Sequence, residues 1–179
     1  MHDPKRLAEF TAHMTPHLDA AYGLARWLLG NDHDAEDAAQ DAYARAYRYF
    51  SGFHGVNARA WLLAITRRCC YALLERRRPE EIAGYDERDA AESEVAPPLH
   101  GSAPDDPDRA LARAGDARRL NEAVEGLPVE QREIFVLREV EGLSYKEIAD
   151  VAGIPIGTVM SRLSRARAQL QRLLRDGDS

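Results

Sequence analysis

The chain has 179 residues with 24 basic and 30 acidic side chains, a formal charge of -6 and 45% hydrophobic residues, enough for one ordinary domain or two small ones without disulfide staples. No stretch approaches the roughly 18 apolar residues of a membrane span, and residues 1–10 carry charges and Pro4 where a signal peptide has an apolar run, so a cytoplasmic protein without membrane insertion is expected. The sequence holds no Gly-rich phosphate loop, Ser/His/Asp nucleophile signature or Cys/His ligand spacing, so neither enzyme chemistry nor a cofactor is expected.

His13 and His17 fall at helical spacing, but without a third ligand nearby they do not make a metal site. Acidic residues then crowd a helix start over 31–37, with Asp34 read as the N-cap and the helix running to about Phe50. Ala35, Ala38, Ala42, Ala46 and Tyr49 line one face of it. Asp37, Gln40, Asp41 and Arg48 lie on the other, which spacing alone leaves open as solvent surface or docking face. Residues 50–57 form a Gly-containing aromatic loop, and Ala60, Trp61 and Leu62 open a helix continuing through Ile65 and Cys69 to Arg78. Phe50, Phe53 and Trp61 beside a basic helix suit stacking of unpaired bases next to phosphate contacts, and they suit a core equally well. Cys69 and Cys70 are adjacent, point about 100° apart on a helix, and read as small buried apolar residues.

Residues 79–110 hold ten acids against Arg88 and Arg109, with five prolines, few bulky apolar residues and no sustained period. That composition predicts a disordered linker, taken as 79–116, with a root-mean-square reach of roughly 35 Å. Basic residues flank it: Arg67, Arg68, Arg76, Arg77 and Arg78 before, and Arg162, Arg165, Arg167, Arg172 and Arg175 after. Two basic surfaces joined by an acidic tether fit a nucleic-acid partner despite the net negative charge, although solvated helix faces would give the same pattern.

Beyond the linker, Pro128 suits a first helical turn, and Ile134, Phe135, Leu137 and Val140 recur at helical spacing until Gly142. Ser144 and Glu147 make a capping box for a short helix of about 144–151. Ala152, Gly153 and Ile154 give a tight turn, and Pro155 presets the next helix. Two helices joined by a short Gly-containing turn form a helix-turn-helix, whose second helix enters a DNA major groove. In that helix Val159, Leu163, Ala166, Leu170 and Leu173 make one apolar stripe. Thr158, Ser161, Ser164, Arg165 and Arg172 fall opposite, flanked by Met160, Arg162 and Arg167, the small polar and basic residues that base edges and phosphates require.

The stretches "DAEDAAQDAYARAYRYF", "ARAWLLAITRRCCYALLERRRP" and "LPVEQREIFVLREVEGLSYKEIADVAGIPIGTVMSRLSRARAQL" resemble the extracytoplasmic-function, or group 4, sigma factors of bacterial RNA polymerase. The resemblance implies an all-α fold of two small helical domains joined by the flexible acidic linker. Residues 1–78 would be a region 2-like domain that docks on the polymerase core and opens the -10 promoter element. Residues 117–179 would be a region 4-like domain that reads the -35 element. By position, Asp37, Gln40, Asp41 and Arg48 would meet the core enzyme. Phe53, His54, Asn57, Trp61, Arg67 and Arg68 would hold the -10 DNA, and Thr158, Met160, Ser161, Arg162, Ser164, Arg165, Arg167 and Arg172 the -35 DNA. The chain departs from the family at Arg68 and Ala72, where Asn and Asp are usual, and at Met160, often basic, which leaves its promoter preference open. The sequence also leaves open whether an anti-sigma protein holds the two domains. The rival readings are a stand-alone helix-turn-helix regulator and a thiol-based stress sensor using Cys69 and Cys70; residues 1–78 lack the alternating strand and helix pattern of a receiver domain.

Overall fold

A computed structural model describes residues 3–81 and 107–176, with side chains over 3–77 and 113–176. The described residues are helical, without strands. In the N-terminal unit, α1 (Pro4–Met14) leads through a 3-10 turn into α2 (Leu18–Leu29), followed by α3 (Asp32–Tyr49) and α4 (Ala58–Glu81). Helices α2, α3 and α4 pack on one another, and α3 makes close approach cheap because its fully buried side chains are the small Ala35, Ala38, Ala42 and Ala46. Phe10 and Met14 of α1 bury against Ala21, Ala46 and Leu62 and close the end of this bundle.

Two details differ from the sequence reading. The N-cap of α3 is Asn31 and not Asp34: Asn31 has extended backbone, its side-chain oxygen accepts from the Asp34 N–H at 2.9 Å, and its amide donates to the Asp34 carboxylate at 2.6 Å. Asp34 sits inside the first turn, where the helix dipole and Arg77 both favour its charge. Tyr49 is 60% exposed and does not extend the alanine stripe, because the chain tightens into a 3-10 turn and Phe50 packs on Phe10 at 5.3 Å between ring centroids.

The C-terminal unit comprises α5 (Pro107–Glu125), α6 (Val129–Phe135) with a π turn over Val136–Val140, α7 (Tyr145–Ala152) and α8 (Ile156–Asp176). Residues 107–116, read from the sequence as the end of a flexible tether, are therefore helical; most of the expected tether, 82–106, lies outside the described residues. Proline at the first position of α5 starts a helix that the acid-rich composition concealed. Helix α8 packs on α5, α6 and α7.

The two units are not separate bodies. Helix α4 packs against α7, and α2 against α6, so that Trp27, Leu63 and Cys70 belong to the same hydrophobic cluster as Ile134, Leu137 and Ile148. Arg132 of α6 fastens the seam: its guanidinium donates to the Trp27 carbonyl at 2.9 Å, and to the carbonyls of Glu125 at 2.6 Å and Leu127 at 2.9 Å. One side chain thus serves the carboxyl ends of α2 and α5, where unpaired carbonyls and the helix dipole favour a cation.

Candidate nucleic-acid interface

The helix-turn-helix is built by local rules. Ser144 accepts from the Glu147 N–H while the Glu147 carboxylate accepts from the Ser144 N–H at 2.7 Å, completing the capping box at the start of α7. The Ser144 amide holds the Glu147 carboxyl below its usual range, with the Asn57 amide adding to the effect. Gly153 ends α7 at φ 66°, a left-handed conformation that turns the chain into α8. Val159, Leu163, Ala166 and Leu170 are buried, whereas Leu173, 39% exposed, runs past the core and is not part of the packed stripe.

The opposite face of α8 is open. Met160, Ser161, Ser164, Arg165, Arg167 and Arg172 are exposed, and Thr158 and Arg162 are half-buried. Arg167 is held by Glu139 at 2.5 Å, and Arg162 lies 3.8 Å from Glu130. Arg165 and Arg172 have no acidic partner among the described residues. The Ser161 hydroxyl donates to the Thr158 carbonyl at 3.1 Å, which leaves its oxygen facing outward as an acceptor.

The aromatic loop of the N-terminal unit makes a second surface. Phe53 is half-buried, stacked on Phe50 at 5.8 Å and tilted against Trp61 at 5.2 Å, with the His13 ring edge-on at 5.7 Å. The Phe50, Phe53 and His13 rings border a cleft of about 490 Å³ that also takes in Arg6, Glu9, Ser51, His54 and Gly55, with Trp61 behind Phe53. Phe53 is thus part of an aromatic pile and, on its other side, a wall of an open cleft. Asn57 caps α4, its side-chain oxygen accepting from the Ala60 N–H at 2.9 Å, and its amide donates to Glu147 of α7 at 2.6 Å. Arg68 is exposed, but its neighbour Arg67 turns inward.

Arg67 bonds to Glu133 of α6, which also accepts from the Tyr71 hydroxyl at 2.7 Å, and the Arg67 guanidinium lies 4.4 Å from the Tyr71 ring. Glu133 is fully buried; burial pushes its carboxyl up, and Arg67 and Tyr71 pull it back. Arg59 pairs in the same way with the buried Glu141. None of these acids was singled out by the sequence reading. Glu133 sits in the run Glu133 to Leu137, where an apolar period hides a polar member, and its partner lies 66 residues away.

The exposed edge of α3 separates two grooves. Asp37 and Asp41 border one, of about 370 Å³, with Arg45, Cys69, Ala72 and Arg76, while Gln40 lines another, of about 430 Å³, with Leu18, Tyr22, Glu36 and Tyr43. Arg45 donates to Asp41 at 3.1 Å and lowers its carboxyl pKa. Arg48 is exposed one turn beyond. His33, Asp34 and Asp37 place ligand atoms within 4.8 Å of one another, but Asp34 is already committed to Asn31 and Arg77, which leaves a poor cation site. Burial pushes the Cys69 thiol to about 11 and the Cys70 thiol to about 12, so both stay protonated at neutral pH, contrary to what a thiol sensor needs.

Two stretches of the chain match known family models. Residues 14–80 match the family model described as sigma-70 region 2, and residues 117–170 match sigma-70, region 4. The chain is 35% identical to the ECF RNA polymerase sigma factor SigE of Mycolicibacterium smegmatis over 87% of its own length and 57% of that protein's. It is 33% identical to the RNA polymerase sigma-H factor of Pseudomonas aeruginosa, covering 85% of the chain and 79% of the relative. With the ECF RNA polymerase sigma factor SigW of Bacillus subtilis it shares 32% identity over 88% of the chain and 84% of the relative. Among solved structures, the sigma factor RpoE in complex with the anti-sigma factor NepR from Bartonella quintana matches with a TM-score of 0.72 and 30% identity, over 93% of this chain and 97% of that one. CnrH in complex with the cytosolic domain of CnrY matches with a TM-score of 0.63 and 26% identity, over 95% and 89%. Two sigma regions in order, on two helical units with a helix-turn-helix at the second, place the chain in the ECF RNA polymerase sigma factor family.

Proposed function

We propose that this chain docks on the RNA polymerase core through the α3 edge bearing Asp37, Gln40, Asp41 and Arg48, and carries the enzyme to its promoters. The region over 1–78 then engages and opens the -10 element at the Phe53 cleft, with His54, Asn57, Trp61, Arg67 and Arg68 as its DNA contacts. The region over 117–179 reads the -35 element with α8, and 79–116 connects the two. Ser161, Ser164 and Arg165 meet base edges, while Thr158, Met160, Arg162, Arg167 and Arg172 frame them. The observation that carries this reading is the α8 face: exposed hydroxyls and two arginines with no acidic partner among the described residues, mounted over a buried stripe after a capped turn.

Each unit alone has few phosphate contacts, so the chain acts only when the polymerase fixes the spacing of its two surfaces. The chemistry of RNA synthesis belongs to the polymerase, the chain works in the cytoplasm, and an anti-sigma protein of the kind bound to the Bartonella quintana sigma factor is a further partner. The deciding experiment is transcription from a promoter library by core polymerase with and without the purified chain. Specific start sites that require the chain support the proposal; tight sequence-specific duplex binding by the chain alone, with no effect on core polymerase, refutes it.

A further inference from the structure

We propose that Ile156 and Met160 read thymine by its C5 methyl group on one edge of α8, so that the -35 elements of this chain carry thymine beside the base pair that Arg165 meets. The inference rests on the -35 role proposed above and adds the chemical class of base that this edge of the helix selects.

The open face of α8 has two unlike edges. At about 100° per residue, Ile156, Met160 and Ser164 step by four down one edge, Thr158 and Arg165 lie on the other, and Gly157 and Ser161 run between them. Ile156 is 46% exposed and Met160 52%. Neither contributes to the hydrophobic cluster that Ile154 and Leu174 pack against. Leu173, the other exposed apolar residue of α8, lies beside Gly126 at the end of α5, so its place is accounted for within the fold. A side chain at Gly157 would meet nothing within 4 Å; the fold does not call for glycine there, and the bare position leaves the edge open to close approach. Arg167, two turns beyond Met160 on the same edge, is engaged by Glu139. The groups that this edge has to offer at its start are therefore apolar.

A branched alkyl group and a thioether chain have no hydrogen-bond donor and no strong acceptor. Guanine, adenine or cytosine turned toward them would lose water from a ring nitrogen, carbonyl or exocyclic amine without compensation, whereas thymine presents the apolar group of the major groove. Taking one methyl-sized group out of water changes affinity about fourfold. Side chains four apart on a helix have Cβ atoms about 5–6 Å apart, and bases on one strand rise by about 3.4 Å, so the pair spans one or two base positions. Arg165 on the opposite edge reads a hydrogen-bonding base, and the two edges then demand different chemistry of neighbouring base pairs.

The test uses holoenzyme assembled from core polymerase and the full chain. It first selects -35 sequences from a randomised duplex library, and each thymine of the selected element is then replaced by deoxyuridine, which lacks only the C5 methyl. Holoenzyme affinity should fall about fourfold at one or two of these positions. With Met160→Gln or Ile156→Ala the effect should vanish at the position that side chain meets, while Met160→Leu should keep it, all with helicity by circular dichroism unchanged. Should Ile156→Ala, in the first turn of α8, lose helicity, Met160→Gln against Met160→Leu decides. Equal affinity for thymine and deoxyuridine at every position overturns the proposal, as does a deoxyuridine effect that persists undiminished in both variants. Variants that fail alike on every template, with no deoxyuridine effect in the wild type, would make this edge a polymerase contact and also overturn it. A wild-type chain that gives core polymerase no -35 preference removes the -35 reading itself, whereas a holoenzyme that selects -35 sequences and ignores the methyl removes this proposal alone.

Discussion

Arg165 and Arg172 share an exposed face of α8 but lie two turns apart, and this separates reading from holding. Arg165 lies nearer the helix start, and in the proposed role it meets a base edge, where a bidentate contact to guanine contributes about 1–3 kcal/mol of discrimination. Arg165→Ala should therefore flatten preference at one or two -35 positions. Arg172→Ala should weaken all sequences alike and lower the salt slope by roughly one unit. Holoenzyme binding across a -35 point-mutant panel at several salt concentrations measures both. Phe53 is bound on one side by Phe50 and Trp61 and open on the other, so Phe53→Ala should slow promoter opening and leave polymerase recruitment intact. Stacking on a base contributes about 1–3 kcal/mol, and a premelted template should restore most of the rate. Asp41 is exposed and its pairing with Arg45 adds little to stability. Asp41→Arg should weaken capture of core polymerase in a pull-down with the melting temperature unchanged.

At the scale of the helix, the two elements of the helix-turn-helix were legible because their signals are local. The Ser144 and Glu147 capping box, Gly153 at positive φ and the Val159-to-Leu170 stripe lie within a few residues of the contacts they make. Ser144→Ala should destabilise the protein by about 1 kcal/mol in chemical denaturation, since an orphan amide loses its acceptor. Glu147 has a lowered pKa, so the support of its half of the box is present above the ordinary carboxylate range and is lost as pH falls through the folded value. The cost of Glu147→Ala should accordingly shrink in acid. The cap of α3 was misplaced by three residues because Asn31 and Asp34 are equally good cap types, and only backbone conformation distinguishes them. Helix α5 escaped notice because its start lies in an acidic, proline-containing stretch. Glu133, Glu141 and Arg132 were invisible for another reason: partners from distant helices give buried polar residues their roles, and no periodicity marks them.

For the whole molecule, the sequence describes two units and a tether, whereas the folded chain has a continuous apolar cluster running from Leu24 in α2 to Leu170 in α8. Arg132 strengthens that continuity by serving the ends of α2 and α5 with one guanidinium. Heat should not distinguish regions that share a core. In scanning calorimetry the free chain should give a single absorption peak whose calorimetric and van't Hoff enthalpies agree. Two resolved peaks would mean that the units melt independently. Arg132→Ala should bring the free chain closer to that two-peak behaviour by removing the bond to Trp27, while α6 and α8 keep their mutual packing. The cooperative unit in melting is then larger than either DNA-reading unit, and a substitution in one sigma region will change the melting temperature of the other.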